Sequence, residues 1–258
     1  MLLVATAAIA VTALAGCDID VDFGGKEFRD TYTETVAVTE IRLDGGSGEL
    51  TVRPGVAGQV EISRVVRYRG DTAPTERRHR TEGTALMLSS DCGRNCSISY
   101  TIAAPRGVKV TGHSDSGNLE LSGVSTVDLR LGSGEIIVKD ATGSVRLEAD
   151  SGNIDLTAVD GTLSARTGSG EIQARDIRSN SVNLIADSGN IGLTMATPAD
   201  VQIQTGSGEI NLNVPTGDYQ VDAQAGSGEV NIDVPSVATA ANLLHLRADS
   251  GNISVRKA

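Results

Sequence analysis

A short motif, Ser-Gly followed by Glu or Asn and then an aliphatic residue, occurs nine times in the 258 residues of this chain. From Ser116 onward the motif returns after 17, 18, 18, 19, 19, 20 and 23 residues. A near-constant period of this size, with a turn signal and a short apolar strand in each repeat, is typical of a solenoid built coil by coil. The serines of the nine motifs are Ser47, Ser116, Ser133, Ser151, Ser169, Ser188, Ser207, Ser227 and Ser250.

Each regular coil contains two short runs of alternating apolar and polar residues, separated by glycine-containing turns. In the coil that begins at Ser133, we expect Ile136, Val138, Val145 and Leu147 to point inward. Such alternation predicts strands, and stacking like on like gives parallel ladders about 4.8 Å apart. The sequence therefore predicts an all-β fold with a right-handed parallel β-solenoid (β-helix) over residues 111–258.

Residues 33–110 do not follow this period. Ser47 and Ser116 are 69 residues apart, and the stretch between them carries longer strands and a charged segment at 69–84 that we interpret as an exposed loop. We expect 33–110 to form an irregular, partly antiparallel N-terminal β region with a hairpin, which caps the solenoid. At the other end, residues 253–258 follow a strand with no obvious cap and would leave an open coil edge.

The N-terminal residues have the pattern of an export signal. The first sixteen residues are apolar and uncharged and end in Leu14-Ala15-Gly16 before Cys17. This predicts a lipoprotein signal peptide at 1–16, lipid on the thiol of Cys17, and a tether at 17–32. An ordinary secretory signal is the alternative. Lipidation implies an exported protein held to a membrane by its acyl chains, in the periplasm or at the cell surface.

Two cysteines remain, Cys92 and Cys96. Export to an oxidising compartment and an even number of thiols predict a structural disulfide between them. Strand-like runs flank the pair, so we expect the bond to pin a hairpin turn. The spacing is not Cys-x-x-Cys and no histidine is adjacent, which argues against a redox or metal site.

The residues around each Ser-Gly follow a rule: Asp precedes where Asn follows, and Gly precedes where Glu follows. Every coil thus carries one carboxylate at this corner, and its position alternates until Glu209 and Glu229 occur in succession. Spacing of like charges along a stacked ladder explains the rule. A line of Ca²⁺ sites is the alternative, because carboxylate and amide oxygens bind this ion. The acids of this column are Asp115, Glu135, Asp150, Glu171, Asp187, Glu209, Glu229 and Asp249.

The composition narrows the possible partners. With 33 acidic against 22 basic residues, the chain lacks the clustered positive charge that nucleic acids require. The three histidines form no catalytic pattern with neighbouring nucleophiles, and long loops and aromatic platforms for gripping sugars are scarce. We therefore expect no enzyme activity, no cofactor and no nucleic-acid partner; a polysaccharide-acting enzyme is the least favoured alternative.

The Ser-Gly repeats, together with the run from Tyr100 to Val110 before the regular coils, resemble the bacterial "putative adhesin" family of β-solenoids, a domain of unknown function. The resemblance covers about residues 33–257 and offers no catalytic or binding residues to transfer. It implies a solenoid of the cell envelope, related to surface adhesion. We expect a non-enzymatic, lipid-anchored envelope protein that contacts an envelope protein or glycan, with a structural scaffold that self-associates through coil edges as the alternative.

Overall fold

A computed structural model of the chain describes residues 25–35 and 37–258. The expected signal peptide and Cys17 lie outside these residues. In the described part no helix is long and apolar enough to cross a membrane. The described residues form twenty strands and no α-helix: β1 (Lys26–Glu34), β2 (Glu40–Gly46), β3 (Leu50–Pro54), β4 (Val60–Tyr68), β5 (His79–Glu82), β6 (Ala85–Ser90), β7 (Cys96–Ala104), β8 (Lys109–Ser122), β9 (Val127–Ala141), β10 (Val145–Val159), β11 (Leu163–Ser169), β12 (Ile172–Ile177), β13 (Ser181–Ser188), β14 (Ile191–Met195), β15 (Asp200–Ser207), β16 (Ile210–Val214), β17 (Tyr219–Ser227), β18 (Val230–Ile232), β19 (Asn242–Ser250) and β20 (Ile253–Lys257).

The strands stack into a parallel β-solenoid, as the sequence predicts. Each regular coil gives one strand to a first sheet and one to a second sheet, and the Ser-Gly motif forms the corner between them. In three coils the strand of the first sheet continues through the corner into the strand of the second sheet, so that β8, β9 and β10 are each one long, bent strand. Like residues face each other in the ladders, so that Ser133 pairs with Ser151 and Ser188 with Ser207. One repeat of the sequence therefore corresponds to one full turn of the solenoid.

Aliphatic side chains fill the space between the sheets. The residue that follows Glu or Asn in each motif points inward and stacks on its counterparts in the neighbouring coils. Burial of each such side chain contributes roughly 1.5–3 kcal/mol relative to exposure. Because the column repeats in every coil, each coil is stabilised mainly by its two neighbours. The buried members of this column include Ile136, Ile154, Ile172, Ile191 and Ile210.

The order of coils in space differs from their order in the chain at both ends. β2 and β3 lie between the β6–β7 coil and β8, so Ser47 pairs directly with Ser116 despite the long separation in sequence. At the other end β19 and β20 lie between the β15–β16 coil and the β17–β18 coil. The last coil of the stack is therefore β17–β18, and the last segment of the chain is the coil before it.

This insertion corrects two expectations. Residues 253–258 do not form the open edge, because β20 is paired on both sides. Glu209 and Glu229 are not neighbours, because Asn252 lies between them in the ladder. The alternation of Glu and Asn thus holds through all nine corners, and its apparent break in the sequence reflects the insertion of the final segment.

The N-terminal region also differs from expectation in two places. β6 and β7 do not form a hairpin: β6 pairs with β2 and β5, and β7 with β3 and β4. Cys92 and Cys96 are joined by a disulfide with Cα atoms 5.6 Å apart, and this bond closes a coil corner rather than a hairpin turn. The tether is shorter than 17–32, because β1 begins at Lys26 and pairs with β4 along its whole length.

A cluster of polar and aromatic side chains closes the N-terminal end of the solenoid, where β1, β4 and β5 add as antiparallel strands. Arg64 is completely buried; its Nε donates to Asp30 Oδ1 at 2.9 Å and its Nη1 donates to the carbonyl oxygen of Glu76. Segment 69–84 is therefore not simply an exposed loop, because Arg64 holds its backbone and His79 is buried against Tyr32.

Burial and charge act on the two titratable groups of this cluster in opposite ways. Burial raises the pKa of Asp30, but hydrogen bonds from Arg64 and Tyr32 outweigh it, so the net pKa lies below the ordinary value. Burial and then the nearby charges of Arg77 and Arg64 lower the pKa of His79, against a smaller opposite effect of Glu34 and Asp30. Neither ring nitrogen of His79 has a hydrogen-bond partner in the part of the chain that the structure describes.

The cap should make the protein less stable in mild acid. The unfolded chain protonates His79 near the ordinary pKa of 6.5, whereas the folded chain resists protonation, so the free energy of unfolding falls as pH drops from about 7.5 to about 5.5. Urea unfolding across this range measures the effect. The variant His79→Phe, which keeps a ring against Tyr32, should have a flatter dependence, and substitution of the exposed His113 by Gln should leave the slope unchanged. Equal slopes in all three proteins would contradict this reading.

Candidate functional site

The amide groups of the motif serve the stacking of the coils. At four corners an asparagine Oδ1 accepts a hydrogen bond from the backbone N–H of the glutamate in the next coil, at 2.9 to 3.2 Å. At the first corner Ser99 Oγ takes this role for the N–H of Glu49. The alternation therefore groups coils into pairs, with one asparagine satisfying a corner N–H that the strand ladder leaves free. The pairs are Asn118 with Glu135, Asn153 with Glu171, Asn190 with Glu209, and Asn252 with Glu229.

The motif glycine is required by the close approach of successive coils. Gly134 has φ of 133° and Gly189 has φ of 148°, in a region that side chains disfavour. A Cβ at either position would collide with the carbonyl oxygen of the preceding corner, Gly117 or Gly170 respectively. The most repetitive feature of the sequence is thus explained by backbone packing and is not itself a binding site.

The acidic column lies on the surface of this corner. Asp115 accepts a hydrogen bond from the backbone N–H of Gly46, and Asp187 is paired with Arg166 at 2.7 Å. Within residues 25–35 and 37–258, no three His, Cys, Asp or Glu side chains converge closely enough to hold a metal ion. Two members of the column thus have partners within the chain. The described residues contain no set of side chains that could serve as ligands for the Ca²⁺ sites considered above.

The outer surface of the second sheet divides into two halves of different chemistry. In the coils of β8 to β12, outward side chains form ion pairs between neighbouring coils, such as Lys139 with Glu120 at 2.9 Å and Arg175 with Asp155 at 3.3 Å. In the last four coils most outward positions are small or carry amides and hydroxyls, with Arg256 as the exception. We call this second half the amide face; its residues are Thr194, Asn211, Asn213, Asn231 and Ser254, of which Asn211 and Asn231 are exposed.

The register of the strands brings the amide face together. Asn211, Ser254 and Asn231 follow one another in a single column across three coils. In the adjacent column Asn213 Nδ2 donates to Thr194 Oγ1 at 3.3 Å. Of the described residues, Arg256 and Lys257 alone bring charge to these four strands of the sheet. The result is a flat, nearly neutral surface whose groups both donate and accept hydrogen bonds.

The histidines do not assemble a catalytic site in the described chain. Ser114 Oγ donates to the carbonyl oxygens of Gly46 and Ser116, so the contiguous His113-Ser114-Asp115 is not a triad. His245 Nδ1 lies 3.1 Å from Asp222 Oδ2, and Arg247 binds the same carboxylate. The hydrogen bond from Arg247 lowers the pKa of Asp222 despite slight desolvation, which keeps it an ion-paired carboxylate rather than a general base.

The profile of the Toastrack DUF4097 family matches residues 8–257. The chain belongs to this family. Two solved structures also resemble it: one described as a "putative adhesin" from Bacteroides fragilis, with 15% identity, TM-score 0.51, and coverage of 90% of this chain and 97% of that one; and one described as a "putative cell adhesion protein" from Clostridium sporogenes, with 13% identity, TM-score 0.27, and coverage of 90% and 100%. No curated protein matched the chain.

The likeness to the Bacteroides fragilis structure shows a shared fold at low sequence identity. The Toastrack assignment agrees with the family resemblance seen in the repeats. The amide face is not apparent from the sequence, because its residues come from four strands separated by turns and by the out-of-order final segment. The one available signal was the loss of alternating charges on the second strand of each coil after Arg175.

Removing one asparagine cap should destabilise the stack modestly. Asn153→Ala deletes the acceptor for the N–H of Glu171 and should cost about 0.5–1 kcal/mol, which lowers the melting temperature by about 2 °C. Asn180→Ala, at an exposed position outside the corners, is the matched control and should melt like the parent. Equal melting of both variants would argue that the asparagine cap has no energetic role.

Proposed function

We propose that this Toastrack protein is a non-enzymatic, lipid-anchored module of the cell envelope whose amide face binds a neutral, hydroxyl-rich polymer such as an envelope glycan. The observation that carries the proposal is the nearly neutral half of the second sheet, to which only Arg256 and Lys257 of the described strand residues bring charge. Its exposed asparagine side chains, Asn211 and Asn231, lie on strands that the ladder holds in register. Strands held in this way keep their shape on binding, which limits the entropy lost by the protein.

The chemistry of the face favours neutral ligands. Amides and hydroxyls pair with sugar hydroxyls as both donors and acceptors, and they do so without the desolvation cost of a buried charge. Asn211 and Asn231 are the exposed amides of this face, whereas Ser254 Oγ is shielded from solvent between them and has no hydrogen-bond partner among the described residues. Coils repeat about every 4.8 Å along the column, so Asn211 and Asn231, which lie two coils apart, present exposed amides about 9.6 Å apart.

The N-terminal end of the stack suits attachment to a membrane. The described chain enters at Gly25 and forms the outermost strand β1 at the capped end. An acyl chain on Cys17 would hold this end close to the bilayer. The amide face occupies the other end of the solenoid and would point away from the membrane, toward polymers of the envelope.

Lipidation is tested by changing the thiol that would carry it. Cys17→Ser should abolish metabolic labelling with a fatty acid and move the protein from the membrane to the soluble fraction, because no other anchor is proposed. The parent protein and Cys92→Ser are the controls, and both should remain labelled. Continued membrane association and labelling of Cys17→Ser would overturn this part of the proposal.

Glycan binding is tested with protein that starts at Asp18, screened on an array of neutral and charged envelope oligosaccharides. Asn211→Glu adds a charge in the centre of the amide face and should weaken binding at least about tenfold, since a sugar hydroxyl cannot repay desolvation of the carboxylate. Thr157→Glu adds the same charge in the ion-paired half of the same sheet and should bind like the parent. The proposal fails if no neutral glycan binds, or if both variants lose affinity equally.

A further inference from the structure

Within residues 25–35 and 37–258, the last coil of the stack, β17–β18, leaves one end of the solenoid uncovered. Its inward-facing residues Val221, Ala223, Ala225 and Ile232 are only half-buried, and Val230 is 42% exposed. The residues that pair with them one coil inward are all fully buried. These inner partners are Leu244, Leu246, Ala248, Ile253 and Val255.

The strand edge at this end is partly covered and partly free. In the segment between β18 and β19, Ser236 Oγ accepts from the N–H of Val221, and Val237 N–H donates to the carbonyl oxygen of Tyr219. Tyr219 and Val221 therefore turn these backbone groups outward. By the two-residue alternation of a strand, Ala223 and Ala225 also direct N–H and C=O groups outward, beyond the reach of that segment.

This free edge lacks the features that usually prevent strand pairing. From Asp222 to Ser227 it contains neither proline nor lysine, and Asp222, its one charged residue, is already paired with Arg247 and His245. The capped end is different. Its edge strands carry charge on their outward faces, with Glu27 and Arg29 in β1 and the Arg80–Glu82 pair in β5. Natural proteins use such charges to block edge-to-edge association.

We infer that the occupant of this end is a second copy of the chain, joined tail to tail by antiparallel pairing of β17 with β17 of the other copy about a two-fold axis at Gln224. The occupant follows from the asymmetry of the ends: in the described chain the unprotected edge belongs to the β17–β18 coil, and β17 is the longer of its two strands, so the complementary surface available within the same protein is β17 itself. A two-fold contact of this kind closes after two subunits and gives a dimer rather than a filament.

The register follows from the free backbone groups. With Gln224 on the axis, Ala223 of each copy lies opposite Ala225 of the other, and the two residues exchange both backbone hydrogen bonds. Asp222 then lies opposite Gly226, so no like charges meet. Each partner strand turns away at its Ser227 corner, close to where the segment after β18 covers Val221. The half-buried lumen residues of both copies become enclosed in the same step.

A cysteine at the axis tests this arrangement in the full-length chain, purified in detergent. Gln224 pairs with its own copy at a position without backbone hydrogen bonds, where Cα atoms lie about 4.5 Å apart, within the range for a disulfide. Gln224→Cys should therefore run as a covalent dimer on a non-reducing gel. Gln202→Cys, at an outward position of β15 in the same sheet, should run as a monomer. A gel that shows the same pattern for both variants overturns the proposal.

Charge reversal at the same residue gives a second readout that does not depend on a covalent bond. Gln224→Lys and Gln224→Glu should each weaken dimerisation about tenfold, because like charges meet at the axis, and an equimolar mixture of the two should restore it. Gln202→Lys, which should melt and dimerise like the parent, controls for the added charge. A parent protein that stays monomeric, or one whose mass grows beyond two subunits with concentration, overturns the two-fold contact. Since Gln224 lies on the first sheet, glycan binding by the amide face is measured independently in the same variants.

Discussion

The close contact between the backbones of successive corners is the constraint on which the rest of the structure depends. At each Ser-Gly the chain turns from one sheet to the other while it passes directly over the turn below, so there is no room for a Cβ. Glycine is therefore fixed at the corner, and with it the register of both strands that leave it. Inward aliphatic columns, outward columns and the asparagine caps all follow from that register. A one-residue slip would reverse the inward and outward sides of every strand in the coil.

The local pattern of the sequence was sufficient to predict the solenoid, and the misreadings concern long-range order. Alternation within a coil reports which side chains point inward, but it does not say which coil stacks on which. For this reason the neighbours of Ser47 and the position of β19–β20 could not be predicted, and Glu209 and Glu229 were wrongly placed side by side. The supposed hairpin at Cys92 and Cys96 failed for a related reason: two strands joined by a short turn can belong to different sheets when the turn is a coil corner. The amide face was missed because it exists only in the stacked register.

The two ends of the molecule differ in chemistry, and the charge on the outer surface of the second sheet changes from one end to the other. A buried ion pair between Arg64 and Asp30, with aromatic side chains around it, seals the end from which the N-terminus leaves. Charges on the second sheet are neutralised in pairs between coils near that end, and toward the other end only Arg256 and Lys257 of the described strand residues remain charged. A two-fold contact normal to the first sheet would place the amide faces of both copies on the same side. One continuous face would then present twice the number of exposed amides to a repetitive polymer, which favours avidity over single-site affinity.

The insertion of the final segment has a consequence for biogenesis. A solenoid whose coils follow chain order can add each coil as it emerges, because each new strand needs only the one before it. Here β17–β18 has no partner until β19–β20 has docked on β15–β16. During synthesis or vectorial passage through a membrane, the β17–β18 segment must wait, unpaired, until β19 and β20 have emerged. Completion of the fold is thereby coupled to the arrival of β19–β20, so a product truncated before Asn242 would retain a pair of orphaned strands that folding chaperones and proteases can recognise.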